Sequence, residues 1–226
     1  MFVWNGETSQ SWDIICEKMP SIELPAEEIE EVEVDGKSGF YTINTGVYKG
    51  TTKKIVAHYE GENFDGLSSW LDGSGEVIFD ILPDRYYKAY IKNSIPLDSI
   101  LRNKLSKFPI VFQCQPFGYS LENSTIKIDR KNSNIINNYT YFSEPIITVY
   151  GNGNIELFIG DQQISLKEID EKITINSELK EVYKDLDKLG KKMIGDYPIL
   201  KVGKTNITWE GSLEKIEIIP NWRFKL

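Results

Sequence analysis

The sequence predicts an all-β protein with little helix. Its apolar segments are short and rich in β-branched and aromatic residues, and turn residues separate them, as where Phe2-Val3-Trp4 meets Asn5-Gly6. Aromatic residues form 12% of the chain, which also favours strands. Short strands with turn signals between them are typical of a β-sandwich or a β-barrel.

The predicted strands follow one another along the whole chain. The segment IEEVEV at residues 29–34 is closed by the turn pair Asp35-Gly36. The segment VYGNGNIE at residues 149–156 predicts the sharpest hairpin, because glycine and asparagine tolerate the positive φ of tight turns. We predict strands at residues 2–4, 29–34, 40–43, 53–59, 77–79, 86–91 and 110–114, then at 125–128, 146–150, 155–159, 172–175, 207–209 and 216–219.

Three short stretches are candidates for helix. Residues 63–71, NFDGLSSWL, have Asn63 as the cap and apolar residues on one face. Residues 97–105 are a weaker candidate. The charge pattern of residues 178–189 is typical of a helix, but Asp185-Leu186-Asp187 is equally typical of a mobile loop.

Length and charge bound the function. The chain has 226 residues, enough for one large β domain or two small ones, and its net charge of −8 disfavours nucleic acid as a partner. The densest basic run, at residues 184–192, is interrupted by Asp185 and Asp187. We expect no signal peptide and no membrane span, because there is neither a basic start before an apolar core nor a run of about 18 apolar residues.

Few residues are suited to catalysis or metal binding. His58 is the one histidine, and a lone histidine in a strand is typically structural. Cys16 and Cys114 are too few for a disulfide framework and read as reduced, packed thiols. Gly203-Lys204-Thr205 lacks the earlier glycine of a phosphate-binding loop, since Pro198 stands there. We therefore assign no catalytic, cofactor-binding or metal-ligating residue.

Two further features leave alternatives open. The acidic stretch at residues 23–35 carries seven carboxylates and could hold calcium, or form a solvated strand edge or a mobile arm, and the arm or edge is the favoured interpretation. Trp209 and Trp222 could stack on a sugar ring if exposed, although core packing is the favoured interpretation.

An ordered series of motifs resembles the distal tail protein family of long-tailed, non-contractile phages and related prophages. In the first half the resemblance lies in FVWNG (2–6), a strand at SWD (11–13), GKSGFY (36–41), LSSWLDGSG (67–75), PDRYYKA (83–89) and FQCQPFGY (112–119). In the second half it lies in EPIITVYGNGN (144–154), GKTNI (203–207) and IIPNWR (218–223).

The resemblance implies two domains. Residues 1–118 are expected to form a tail-tube-like, ring-forming β-sandwich or split barrel, and residues 119–226 a galectin-like β-sandwich. The stretch VFQCQPFGYS at residues 111–120 then marks the junction, with Cys114 in the core of a strand that Pro116 ends, because proline cannot donate to a central ladder.

The resemblance also implies a structural role at the tip of a virion tail, after assembly in the cytoplasm of the bacterial host. Such proteins form a ring of usually six copies. The ring joins the major tail tube protein to tail-tip, lysin-type or receptor-binding proteins, and DNA is only a passing cargo. The acidic segment at residues 22–34 is our candidate for an arm that extends the sheet of a neighbour. No cofactor, membrane or enzymatic activity is expected.

Two other functional classes remain as alternatives. The first is a carbohydrate-binding β-sandwich module without a ring-forming role, which an open aromatic face on residues 119–226 would favour. The second is a tail-associated hydrolase, which the scarcity of histidine, cysteine and phosphate-binding motifs disfavours.

Overall fold

The computed structural model describes residues 1–96, 100 and 106–226. The chain divides into two compact units, one formed by Met1–Gly118 with Lys225–Leu226 and the other by Tyr119–Phe224. Nearly all of the regular structure is strand, so the predicted all-β class is confirmed. The helix predicted at residues 97–105 lies outside the described residues, apart from Ile100.

The N-terminal unit is built on one antiparallel sheet with the strand order β2-β1-β7-β8-β9-β6-β3. Strands β4 and β5 pair with each other in a separate two-stranded sheet. The elements are β1 Phe2–Trp4, β2 Glu7–Thr8, a 3₁₀ helix Ser9–Trp12, β3 Ile14–Lys18, β4 Glu27–Glu33, β5 Phe40–Tyr48, β6 Thr51–Tyr59, α1 Phe64–Trp70, β7 Ser74–Phe79, β8 Arg85–Ile91 and β9 Phe108–Cys114.

Local signals in this unit act as predicted, with one exception. Asn5 and Gly6, at φ of 50° and 85°, link β1 to β2, and the Asn63 side chain caps α1 by accepting from the Gly66 amide at 3.0 Å. The strand predicted at residues 11–13 is wrong, because Ser9–Trp12 is a 3₁₀ helix. The Thr8 hydroxyl accepts from the Ser11 amide at its start, and left-handed Asp13 ends it.

Aromatic rings fill the core of the N-terminal unit. Trp4 and Trp70 are joined by two hydrogen bonds, since each indole N–H donates to the carbonyl of the other residue, at 2.9 and 3.3 Å. Phe112 packs against Phe2, Trp4 and Phe79 with ring centroids 5.2 to 5.9 Å apart. The indole donors are therefore satisfied inside the core, as buried tryptophan requires.

The C-terminal unit is a β-sandwich rich in buried isoleucine. Its main strand order is β11-β19-β13-β15-β16-β17, with β12 on β19, β14 on β13 and β18 on β14, and β10 and β20 pair with each other outside this sheet. The elements are β10 Gly118–Ser120, β11 Ile126–Ile128, β12 Ser133–Asn137, β13 Ile146–Ile159, β14 Gln162–Ile169, β15 Lys172–Asn176, β16 Glu181–Lys184, β17 Asp187–Lys188, a 3₁₀ helix Gly190–Lys192, β18 Met193–Ile194, β19 Gly203–Ile219 and β20 Arg223–Phe224.

Two long, bent strands connect the layers of this sandwich. The first half of β13 pairs with β15 and the second half with β14, while β19 follows β13 along its length with register shifts at the bend. The hairpin predicted at residues 149–156 is therefore wrong, because the chain continues in one strand. Glycine is needed here for close approach: a Cβ on Gly151 would lie 2.3 Å from the carbonyl oxygen of Ser212.

Both interpretations of residues 178–189 are also wrong, because β16 and β17 form a hairpin there, with Asp185 at φ 54° in its turn. The charged residues form ion pairs between neighbouring strands and between a strand and a β-turn, not between successive turns of a helix. Lys188 lies 2.7 Å from Glu181, and Lys172 lies 2.6 Å from Asp185.

Candidate assembly surface

The β4–β5 hairpin, residues 27–48, is the candidate site. Within the described part of the chain, its two strands pair only with each other, with Val32 opposite Tyr41 and Glu30 opposite Ile43. The turn between them uses Gly36 at φ 80° and Gly39 at φ 86°, which suit glycine. A two-stranded hairpin is at best marginally stable alone in water, so a partner surface would stabilise it.

Apolar side chains of the hairpin are exposed on both faces. In an antiparallel pair, residues opposite each other point to the same face, so one face carries Val32, Tyr41 and Ile43, and the other carries Ile29 and Phe40. The hairpin side chains that are about half exposed are Ile29, Val34, Phe40, Tyr41, Ile43 and Val47. The described part of the chain therefore leaves apolar side chains of the hairpin uncovered on each face.

The hairpin is also strongly acidic. Glu30 lies on the first face, and Glu31 and Glu33 lie on the second. Within the described residues, none of these three carboxylates forms an ion pair, whereas Glu28 lies 3.7 Å from Lys49 at the root. The surface therefore combines apolar contact area with uncompensated negative charge.

The root of the hairpin is held firmly on the N-terminal unit. The Lys49 amide donates to the Ala26 carbonyl at 2.9 Å, which brings the two ends of the hairpin together. The Tyr48 ring packs edge-on against Phe117 at 5.4 Å, and its hydroxyl accepts from Lys225 at 2.8 Å. The hairpin thus has an anchored base and an exposed body.

Comparison with known proteins gives matches among solved structures alone. No protein-family model matches the sequence, and no curated protein matches it. The Dit protein (gp 19.1) of phage SPP1 is described as a paradigm of the hub adsorption apparatus in phages that infect Gram-positive bacteria. It matches with a TM-score of 0.72 and 13% identity, over 96% of this chain and 97% of that chain.

This chain has the Dit fold. The phage p2 baseplate, in its activated conformation with Sr, also matches, with a TM-score of 0.45 and 11% identity, over 92% of this chain and 91% of that chain. The expectation of fold that followed from the motif series is confirmed.

The arm predicted at residues 22–34 supplies only half of the exposed hairpin in this Dit fold. The sequence predicts a strand at residues 40–43 but not its pairing with the acidic segment. The missed half is β5, which extends to Tyr48. The signal was present, since the turn residues between Gly36 and Gly39 separate two short segments of β-branched residues.

His58 lies on β6, and its ring contacts two carboxylates. Its Nδ1 lies 3.3 Å from Glu17 Oε1 and its Nε2 lies 3.3 Å from Glu60 Oε1, and the Lys107 ammonium lies 2.5 Å from the other oxygen of Glu17. The lysine hydrogen bond is the main cause of the lowered pKa of Glu17. The Lys107–Glu17 ion pair and the contact of Glu17 with the His58 ring tie the edge strand β3 to its neighbours.

The other candidates lie apart from one another and from the hairpin. Trp209 and Trp222 are 5% and 8% exposed, so core packing is the correct interpretation of both. Gly203, at φ 90°, begins β19, and so GKT enters a strand as predicted. Within the described residues, no three potential metal ligands come together, and no helix combines the length and apolar character needed to cross a membrane.

Cys114 lies in the core at the end of β9, and Pro116 follows that end, as predicted. Burial raises the pKa of its thiol to about 12, against the smaller opposing effect of Lys53. A raised pKa keeps the thiol protonated until the pH approaches that value, so Cys114 is almost entirely in the unreactive thiol form at pH 8.

We predict that a disulfide reagent such as DTNB at pH 8 modifies one thiol per native chain, the half-buried Cys16. Native Cys16→Ser should react slowly, whereas Cys114→Ser should react like the parent. Absorbance of the released thiolate measures both rates. Equal reactivity of the two cysteines in the native protein would contradict the buried position of Cys114.

Proposed function

We propose that the chain is a structural hub protein at the distal end of a long, non-contractile phage tail. The observation that carries the proposal is the match to the SPP1 Dit protein over nearly the full length of both chains. That protein is described as a hub of the adsorption apparatus, and a hub role requires complementary surfaces rather than reactive groups.

We propose further that six copies of the chain form a closed ring through the β4–β5 hairpin. A ring needs a heterologous interface, in which two different patches of each copy meet. The exposed apolar residues and anchored root of the hairpin suit one such patch. The N-terminal unit is proposed to be tail-tube-like and to stack on the tube, and the C-terminal unit to be galectin-like and to face tip or receptor-binding proteins.

No reaction is part of the proposal, and DNA is a passing cargo of the ring.

The alternative of a carbohydrate-binding module receives little support, because the two tryptophans on which it was based are buried.

The test is the mass and shape of the purified full chain. We expect sedimentation velocity to give a species of about six times 26.0 kDa, and negative-stain images to show rings with a central hole. A single 26.0 kDa species at every concentration up to about 100 μM would overturn the ring, because obligate interfaces persist far below that concentration.

A further inference from the structure

One region of the solvent face of the N-terminal sheet carries three lysines, although the chain as a whole is acidic. Along β6, Ile55 and Ala57 point into the core, so Lys54 points outward. Along β8, Tyr87 and Ala89 are buried, so Lys88 points outward with Tyr90.

Gln113 of β9 brings these lysines together. It lies opposite Thr52 of β6 and opposite Tyr90 of β8, and its side-chain oxygen accepts from the Lys92 ammonium at 3.3 Å. Lys54, Lys88 and Lys92 therefore surround one position on the sheet, and we name this surface the lysine face.

The lysine face is only partly neutralised by its own chain. Glu76 lies opposite Lys88 in the ladder, and Glu23 borders the same depression as Lys54 and Lys18. Lys54 forms no ion pair with any residue that the structure describes. The face therefore retains a positive charge that can attract an acidic surface.

The face is concave on both sides of Gln113. A depression of about 390 Å³ is lined by Glu76, Lys88, Tyr90 and Gln113, and another of about 330 Å³ is lined by Lys18, Thr52, Lys54 and Val56. The aromatic and aliphatic side chains among the lysines provide apolar contact area. Such a surface suits a partner that is both acidic and partly apolar.

We propose that the lysine face receives the acidic β4–β5 hairpin of a neighbouring copy. The inference rests on the proposed ring and names its second patch. The hairpin has the complementary chemistry, because Glu30, Glu31 and Glu33 have no ion-pair partner among the described residues and lie beside exposed Ile29 and Phe40. Each copy carries one hairpin and one face, which is the stoichiometry that a closed heterologous ring requires.

Charge reversal tests this pairing. One variant carries Lys54→Glu, Lys88→Glu and Lys92→Glu, and the other carries Glu30→Lys, Glu31→Lys and Glu33→Lys. Like charges brought together at an interface repel each other, so each variant alone should assemble at least about tenfold more weakly than the parent. Sedimentation velocity at low salt measures the change.

The decisive result is recovery on mixing. In a ring that alternates the two variants, every contact again joins opposite charges, so an equimolar mixture should regain rings of even copy number. The control carries Lys131→Glu, Lys167→Glu and Lys191→Glu, which are exposed positions in the C-terminal unit. It changes the net charge by the same amount as the variant of the lysine face. It should assemble like the parent.

The outcomes separate this inference from the proposed function. Suppose that the parent forms rings, and that either the charge-reversal variants assemble like the parent or their mixture forms no rings. The lysine face is then not the partner of the hairpin, but the proposed ring is still supported. Weaker binding of double-stranded DNA by the lysine variant, with assembly unchanged, would likewise overturn the pairing and assign the face to DNA. A parent that stays monomeric would instead overturn the ring.

Discussion

Replacing residues 27–48 with a Gly-Ser-Gly linker is expected to yield a folded chain that cannot form a ring. The replacement should be tolerated, because the Lys49 amide already donates to the Ala26 carbonyl at 2.9 Å and the linker only has to join two neighbouring ends. The hairpin pairs with no other strand of the described chain, so the main sheet loses no ladder. Circular dichroism measures folding, and sedimentation velocity measures assembly.

The matched control alters an exposed hairpin in the other unit. Leu186, in the β16–β17 turn, is 98% exposed, so Leu186→Ser removes apolar surface without disturbing a core. We expect it to assemble like the parent. A variant without residues 27–48 that still forms rings of the parent's copy number would exclude the hairpin from the interface.

Gly211→Ala is expected to destabilise the C-terminal unit by about 3 kcal/mol or more. Gly211 lies at the bend of β19 with φ 99°, and an added Cβ would lie 2.4 Å from the carbonyl oxygen of Asn154 and 3.2 Å from the Ile155 Cα. Both of these atoms are backbone, so neither can move without opening the ladder between β13 and β19. The cost combines a strained φ with steric overlap.

The measurement is urea denaturation followed by hydrogen exchange of peptides from β13 and β19. Gly190→Ala is the control, because no atom lies within 4 Å of the position that its added methyl group would take, and its change should stay within about 0.5 kcal/mol. A loss below about 1 kcal/mol in Gly211→Ala would show that the bend relaxes easily.

Local signals predicted what local interactions decide. Asn5-Gly6 forms a tight turn, Asn63 caps α1, and β9 ends before Pro116, because each depends on backbone angles or donors within a few residues. The same signals failed where distant strands intervene. Gly151 and Gly153 would suit a hairpin, but in the fold they let one long strand bend beside β19.

The candidate site was predicted in part. The acidic, β-branched composition of residues 22–34 indicated an exposed strand. The second strand of the hairpin was missed as part of the arm, and the lysine face was missed entirely. Lys54, Lys88 and Lys92 are scattered along the sequence, and only the pairing of β6, β8 and β9 around Gln113 brings them together.

The sequence by itself determines the all-β class, the principal turns and caps, and the acidic character of the arm, because periodicity, glycine, asparagine and proline act over a few residues. The tertiary structure alone decides that β13 and β19 each run through a bend, that residues 27–48 stand apart from the main sheet, and that three lysines share one face. These features depend on pairing between residues far apart in the chain, and the free energy of such pairing comes from burial and register, which no single segment specifies.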